Sequence, residues 1–502
     1  MSTIRRQSII SSGIVYFGFA LGFLNTYLFT RQGGVFTPDE YGLVGIFTAI
    51  ANIMLSFSSF GMIPFIYKFY PYYKDNLPAK KNDIMSVALL TALAGFVLVM
   101  IAGVVFKNFV IRKFGAHSAE LVEYYYWVFP FGLGLTFYSL LEAYTWQLRR
   151  SVLTNYFKEV QFRLFTLALL LLSFLGILKS FDLFIKLYAF TYLLLMLILL
   201  LWLKSTRKLY FPAPPSRVTT KFLPKIRSLV VLSWAGGLVF TLSNFFAHVV
   251  IAAVVPGGLA AVGVYTLATY IGSLMQAPQR TVISASIGPL SQAWKDKDYV
   301  KINRIYHRSS INQLIFSVGV FILVWINFTD GAIAFHFEKI YLDARYVFLF
   351  VGLKLIVDMG TGVNGQIIGT STFWRFDFFS GMLLVALTLP LNYVLAKEKG
   401  AVGPAIADLI TFSIYNGVRY LFLYRKFGMQ PFTIRTFYAL LLGLAGYGVC
   451  HFLLLDIHGL GGIMIRSVVF IAIYLGGVIG GRLSEDLIPV WKTVRKRFGV
   501  GG

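Results

Sequence analysis

The chain has 502 residues, 57% of them hydrophobic, 17% aromatic and only 13% charged, whereas a soluble domain carries about a quarter charged residues. That balance excludes a soluble globular protein and describes a chain that crosses a membrane many times. The formal net charge of +24 would suggest nucleic acid in a soluble protein, but here its placement along the chain gives it another meaning.

Apolar stretches of about 20 residues, the length that crosses the hydrocarbon core, predict fourteen spans. They cover residues 10–30, 41–66, 84–106, 124–147, 164–178, 183–203, 228–252, 259–278, 311–329, 346–369, 378–396, 401–424, 436–455 and 463–481. With no water to satisfy free backbone groups, each must be a helix. The first run is too long for a signal peptide and has no small-residue cleavage site, so it reads as a retained span. The fifth is short and the eighth continues into a polar extension.

The basic residues orient these spans. Thirty Lys and Arg fall in the alternate loops that share the N-terminal side, nine fall in the opposite loops, and six lie in or beside spans. The positive-inside rule then places both termini in the cytoplasm, with the chain in the cytoplasmic membrane. The positive charge becomes a topology signal and a contact with membrane lipids, and nucleic acid is not needed as a partner. Tyr67, Tyr70, Tyr72 and Tyr73 at one face, and Tyr124, Tyr125, Tyr126 and Trp127 at the other, fit interfacial belts.

An internal echo organises the chain. GLVGIFTAIA at 42–51 and AAVGVYTLAT at 260–269 align Val44 with Val262, Gly45 with Gly263 and Thr48 with Thr266, and Pro71 with Pro289 keeps the offset. Asn25 and Asn244 stand at almost the same spacing. A parallel duplication places a substrate site between two halves. The expected division is a lobe of six helices at 1–203, a cytoplasmic linker at 204–227 carrying Pro212, Pro214 and Pro215, a second six-helix lobe at 228–424, and two further helices with a basic cytoplasmic tail at 425–502.

Ionisable groups inside spans are costly and mark interiors or water-filled cavities. Glu142, Lys186, His248, Arg280, Lys354, Asp358, Asp408, Arg419 and Arg466 are such groups. Lys186, Arg280, Arg419 and Arg466 lie near span ends, where snorkelling is the plain alternative. Lys354 and Asp358 lie deeper at i,i+4 spacing, which predicts either a self-neutralised structural pair or a cationic anchor tuned by a carboxylate that exchanges a proton. Gly360, Gly362, Gly365 and Gly369 permit close approach or unwinding nearby, and Asn364 and Gln366 add neutral polar groups. Asp408 has no partner visible in the sequence. Asn25, Asn52 and Asn244 serve equally well as interhelical hydrogen-bonding groups, and His248 as a satisfied interior histidine.

Catalytic and metal motifs are missing from the sequence: no Walker loop, HExxH, GxSxG or paired loop carboxylates. Cys450 is the single cysteine, and the six histidines have no ligand spacing. These features predict a non-enzyme without a cofactor, coupled, if at all, to H+ or Na+.

The stretch LNYVLAKEKGAVGPAIADLITFSIYNGVRYLFLYRKFGMQPF at 391–432, with PDEYGLVGIF at 38–47 and IGPLSQAWKDKDYVKINRIYHR at 287–308, resembles the polysaccharide-biosynthesis flippases (Wzx-like) of the multidrug/oligosaccharidyl-lipid/polysaccharide exporter superfamily. Leu391, Asn392, Tyr393, Gly400, Gly403, Ala405, Ala407, Asn416, Arg419, Lys426, Phe427, Gly428, Pro431 and Phe432 carry the match. Glu398 and Lys399 stand where that family often has proline, and Asp408 where it usually has a small residue. The resemblance implies an all-α polytopic membrane protein of about 14 transmembrane helices, in two parallel six-helix lobes plus two C-terminal helices. It also implies a central, often cationic cavity through which an undecaprenyl-diphosphate-linked oligosaccharide is flipped by alternating access, with other polysaccharide-assembly proteins left open as partners. A cation-coupled small-molecule or multidrug exporter of the same fold is the alternative. Arg280, Lys354, Arg419, Asn25, Asn244, His248 and Asn364 are the expected cavity residues, and Asp358 and Asp408 the expected coupling carboxylates.

Overall fold

The computed structural model describes residues 3–211, 213–454 and 456–487; the basic tail expected beyond 487 and Pro212 of the linker lie outside them. All regular elements among the described residues are helical. In chain order they are α1 (Thr3–Thr30), α2 (Pro38–Ser58), α3 (Met62–Asn76), α4 (Ile84–Val105), α5 (Lys107–Phe114), α6 (Ala119–Glu123), α7 (Val128–Gln147), α8 (Ser151–Asn155), α9 (Phe162–Phe174), α10 (Phe181–Ala189), α11 (Thr191–Ser205), α12 (Arg217–Val254), α13 (Gly258–Lys295), α14 (Tyr299–Ala334), α15 (Ala344–Gly360), α16 (Asn364–Gly369), α17 (Trp374–Lys399), α18 (Val402–Phe427), α19 (Ile434–Leu453) and α20 (Gly459–Gly480). Helix falls on all fourteen predicted stretches, and the chain is a multi-pass membrane protein.

Among the described residues, ten helical runs are long and apolar enough to cross a membrane by themselves. The four other predicted stretches fall on α7, on α8–α9, on α15–α16 and on α18. These elements carry Glu142, Glu159 with Arg163, Lys354 with Asp358, and Asp408 with Arg419. Charge retained in a span lowers its hydropathy, so these four spans are the weakest by apolar length alone.

Two compact units part within α13, after Gly263. In the first, α2 begins with a full capping box: Thr37 Oγ1 accepts from the Glu40 N–H at 3.3 Å, and Glu40 accepts from the Thr37 N–H at 2.7 Å. The second predicted stretch is not one helix, because the chain turns at Phe60 and Gly61, both with positive φ. A Cβ on Gly61 would lie 2.6 Å from the Val230 carbonyl oxygen, so α12 passes where only glycine fits. The fifth stretch starts earlier than predicted. Helix runs from Ser151 through a π-helical turn at Tyr156–Gln161 into α9, which brings Glu159 and Arg163 out of the expected loop.

The second unit holds α17 and α18 as a hairpin closed at Gly400, with φ of 60°. α15 packs against both α14 and α18, and α19 and α20 pack on α14. Leu290, Tyr306, Val363, Ile367 and Leu423 are buried in a common core beneath α16, and Trp294 donates its indole N–H to the Ile367 carbonyl at 2.9 Å. That core seats the short α16 at the end of α15.

Candidate functional site

The glycine-rich stretch expected to permit close approach or unwinding is interrupted between α15 and α16. Gly362 takes φ of 63°, and a Cβ there would lie 2.8 Å from Ser309 Oγ and 3.0 Å from the Ser310 backbone nitrogen. The same two serines satisfy the freed backbone groups: Ser309 Oγ accepts from the Val363 N–H at 3.3 Å, and Ser310 Oγ donates to the Gly360 carbonyl. An interrupted helix inside a membrane requires such partners.

On α18, Asp408, Phe412, Asn416 and Arg419 recur at three- and four-residue spacing and occupy one buried face. Lys354 and Asp358 recur in the same way on the face of α15 turned to it, and Thr361 follows just past its end. The i,i+4 pairing of Lys354 with Asp358 is not what forms. Lys354 Nζ instead lies 3.1 Å from Asp408 Oδ2, with both side chains almost fully buried, and 4.0 Å from the centre of the Phe412 ring. Asn392 of α17 donates to the other Asp408 oxygen at 3.3 Å. The physical reason is that α18 lies against the polar face of α15, so a long lysine reaches across to a buried carboxylate rather than along its own helix. Asp358 accepts from neutral amides: Gln279 Nε2 at 2.8 Å and Asn416 Nδ2 at 3.2 Å. Asn416 Oδ1 in turn accepts from Thr361 at 3.0 Å and from Asn364 at 2.9 Å.

Arg419, further along α18, holds a cluster of its own. Its guanidinium forms an ion pair with Asp377, donates from Nε to Ser380 Oγ at 3.1 Å, and lies 4.0 Å over the Tyr415 ring. Gly365 makes room, since a Cβ there would stand 2.7 Å from an Arg419 nitrogen. Lys354, Asp358, Asn364, Asp408 and Arg419 therefore fall in three neighbouring polar clusters of the second unit: Lys354 with Asp408 and Asn392, Asp358 and Asn364 with Gln279 and Asn416, and Arg419 with Asp377 and Ser380. Asn392 and Asn416 were visible as amides within apolar stretches, but nothing in the sequence marked Gln279 or Asp377.

The remaining expected residues stand elsewhere. Arg280 is exposed on α13. Asn25 of α1 donates to the Arg163 carbonyl at 2.9 Å, beside the π-helical turn where Arg163 pairs with Glu159 at 2.7 Å and Lys158 approaches Glu142 at 3.4 Å. Asn244 donates to the Phe240 carbonyl of its own helix at 2.8 Å. His248 is buried on α12. Arg466 does not snorkel: it is 3% exposed and pairs with Asp330 of α14.

Two adjoining cavities lie along α14. One, of about 490 Å³, is apolar and runs between α13, α14 and α20, lined by Phe316, Val320, Leu323, Phe470 and Leu475 among others. The other, of about 720 Å³, is polar and is lined by Arg304, His307, Arg308, Arg435, Glu485 and Asp486. Asn312 and Asp486 border both.

No family model and no curated protein matches the chain. Solved structures do. The structure titled "Lipid II flippase MurJ, inward closed conformation" superposes with a TM-score of 0.71 at 18% identity, over 96% of this chain and 100% of that one. The chain has a MurJ-like fold. An inward-facing multidrug resistance MATE family transporter of the MOP superfamily matches at a TM-score of 0.60 and 16% identity, over 82% of this chain and 96% of that one. Each of these two is matched over nearly its whole length.

Proposed function

We propose that this protein flips a lipid-linked oligosaccharide, with an anionic diphosphate linkage, across the cytoplasmic membrane by alternating access. The observation that carries this reading is the pair of adjoining cavities: an apolar groove of about 490 Å³ that continues at Asn312 and Asp486 into a pocket lined by Arg304, Arg308 and Arg435. An apolar slot joined to a pocket whose three arginines outnumber its two acids, Glu485 and Asp486, matches an isoprenoid chain joined to phosphates, since arginine forks suit phosphate oxygens. Likeness of fold to a lipid II flippase supports the same reading, and the MATE likeness keeps a small-molecule exporter as the weaker alternative.

Coupling to H+ or Na+ would run through Asp358. It is half-buried and held by two amides rather than by an ammonium, so a cation is free to compensate its charge. Asp358→Asn should then lower gradient-dependent transport while leaving folding intact. The basic loops favour cytoplasmic termini, and a reporter fused after Arg217 should read out in the cytoplasm. The decisive test is deletion with analysis of lipid-linked glycans by leaflet. Accumulation on the cytoplasmic leaflet supports flipping, whereas normal surface glycan with lost drug resistance selects the exporter.

A further inference from the structure

Past α20 the chain reverses. The Leu483 N–H donates to the Val478 carbonyl at 3.0 Å and the Arg482 N–H to the Ile479 carbonyl at 3.1 Å, a Schellman closure with Arg482 at the left-handed position, φ 51°. This turn returns residues 483–487 to α14, where side chains fasten them. Arg308 donates from Nε to Asp486 Oδ2 at 3.1 Å, and its Nη2 reaches the other oxygen of the same carboxylate. Asn312 Nδ2 donates to Asp486 Oδ2 at 2.6 Å, and Ser484 Oγ donates to Asn312 Oδ1 at 2.6 Å. Arg435, at the start of α19, pairs with Glu485 at 3.1 Å. Arg304 lines the same pocket and forms no ion pair among the described residues.

A forked guanidinium on two carboxylate oxygens is the geometry that also holds two phosphate oxygens. The chain's own acids thus occupy positions that an anionic ligand would take. The pairs are half-exposed, with side-chain exposures of 50% and 39% for Arg308 and Asp486 and of 46% and 66% for Arg435 and Glu485. Such pairs add little net stability and are readily exchanged. Asp486 and Leu487 also line the apolar cavity, so the fastened segment borders the groove as well as filling the pocket. Hydrogen bonds from Arg308 hold the Asp486 carboxyl below the usual aspartate range, so the fastening is fully charged at neutral pH.

We propose that Arg304, Arg308 and Arg435 form a diphosphate-headgroup site that Asp486 and Glu485 occupy in the unliganded protein, making residues 483–487 a latch that an arriving lipid headgroup displaces. This rests on the flippase reading and adds to it where the headgroup first binds and what it must release. A diphosphate carries more charge than either carboxylate and can engage the two paired arginines and Arg304 together, so exchange is favoured. The isoprenoid chain then enters the groove as the segment leaves its border.

The test uses the full chain in phosphatidylcholine nanodiscs, with Cys450→Ala and Leu487→Cys, and follows labelling of residue 487 by a membrane-impermeant maleimide. A polyprenyl diphosphate in the nanodisc should speed labelling about tenfold, the effect of shifting a local opening equilibrium by one lost charge-assisted fork. Asp486→Asn should label fast without lipid, Asp486→Glu should keep the response, and Arg308→Gln should be fast and insensitive to lipid. Monodisperse elution and an unchanged melting temperature check that each variant is folded. Lipid-independent labelling in the parent protein overturns the latch, and a response to soluble pyrophosphate but not to the lipid overturns the headgroup assignment. Lipid translocation by the same protein in vesicles is measured in parallel. If it persists while labelling never responds, the latch fails and the flippase reading stands; if translocation is absent, the flippase reading fails.

Discussion

Replacing Lys354 with methionine leaves Asp408 as a carboxylate nearly enclosed by protein, with Asn392 still donating to it at 3.3 Å. At 3.1 Å the ammonium and carboxylate attract by about 5 kcal/mol at an effective dielectric near 20, and desolvation of both charges offsets most of that gain. Removing one partner of such a pair costs about 3–5 kcal/mol, because the survivor keeps its desolvation penalty. Methionine retains part of the contact with the Phe412 ring, so the loss reports mainly on charge. Asp408→Leu should cost a similar amount by stranding Lys354. The double variant, with neither charge, should recover to within about 1–2 kcal/mol of the parent. Thermal unfolding of all four proteins in one lipid mixture gives the cycle. Additivity within about 0.5 kcal/mol would show that the two side chains do not interact and would refute the pairing.

Two further substitutions test how the helices are held. Gly403→Ala places a Cβ 1.9 Å from the Leu395 carbonyl oxygen, which forces the α17–α18 hairpin apart; a loss of about 1–3 kcal/mol is expected, and an unchanged melting temperature would contradict it. Asp83 is fully buried and accepts from the Ser216 N–H at 2.8 Å and from Thr219 Oγ1 at 2.6 Å. Asp83→Ala should cost about 2–3 kcal/mol, as expected for hydrogen bonds to a charged group. It should also speed protease cleavage in the 206–216 stretch between α11 and α12, and equal cleavage rates would reject that role.

Most of the fold was legible because hydrophobic length alone locates a membrane helix, and all fourteen stretches coincide with helix. Legibility failed where the argument needed a third dimension. The sequence shows Lys354 and Asp358 one turn apart, and that spacing suggests a pair. It does not show that Asp408, 54 positions on in the chain, faces the same lysine across a helix contact. Arg163 and Glu159 read as loop because charge ended the apolar run, yet helix continues through them in a π-helical turn. The unwinding beside Gly362 was readable, since clustered glycines have a local signature, but the two serines that satisfy it come from another helix. The sequence leaves Arg466 open between snorkelling and an interior role for the same reason, its partner Asp330 being distant in the chain. Local pattern fixes elements, whereas partner choice belongs to packing.

Arg280 and Arg419 differ in what their guanidinium groups already hold. Arg419 is almost fully buried, and its fork is already engaged by Asp377, by Ser380 and by the Tyr415 ring. Lysine in its place keeps the charge but loses the planar fork and the stack, so Arg419→Lys should lower stability by about 2 kcal/mol, with transport falling only as folded protein is lost. Arg280 is exposed and has no such partners to lose. Arg280→Lys should leave the melting temperature unchanged, yet if Arg280 grips phosphate with its fork, the maximal transport rate should fall or the substrate requirement rise. Measuring stability and vesicle transport on the same preparations separates these outcomes. Normal transport by Arg280→Lys would remove Arg280 from the substrate site, while wild-type stability of Arg419→Lys would show that the buried fork contributes little and would free that guanidinium for direct contact with the ligand.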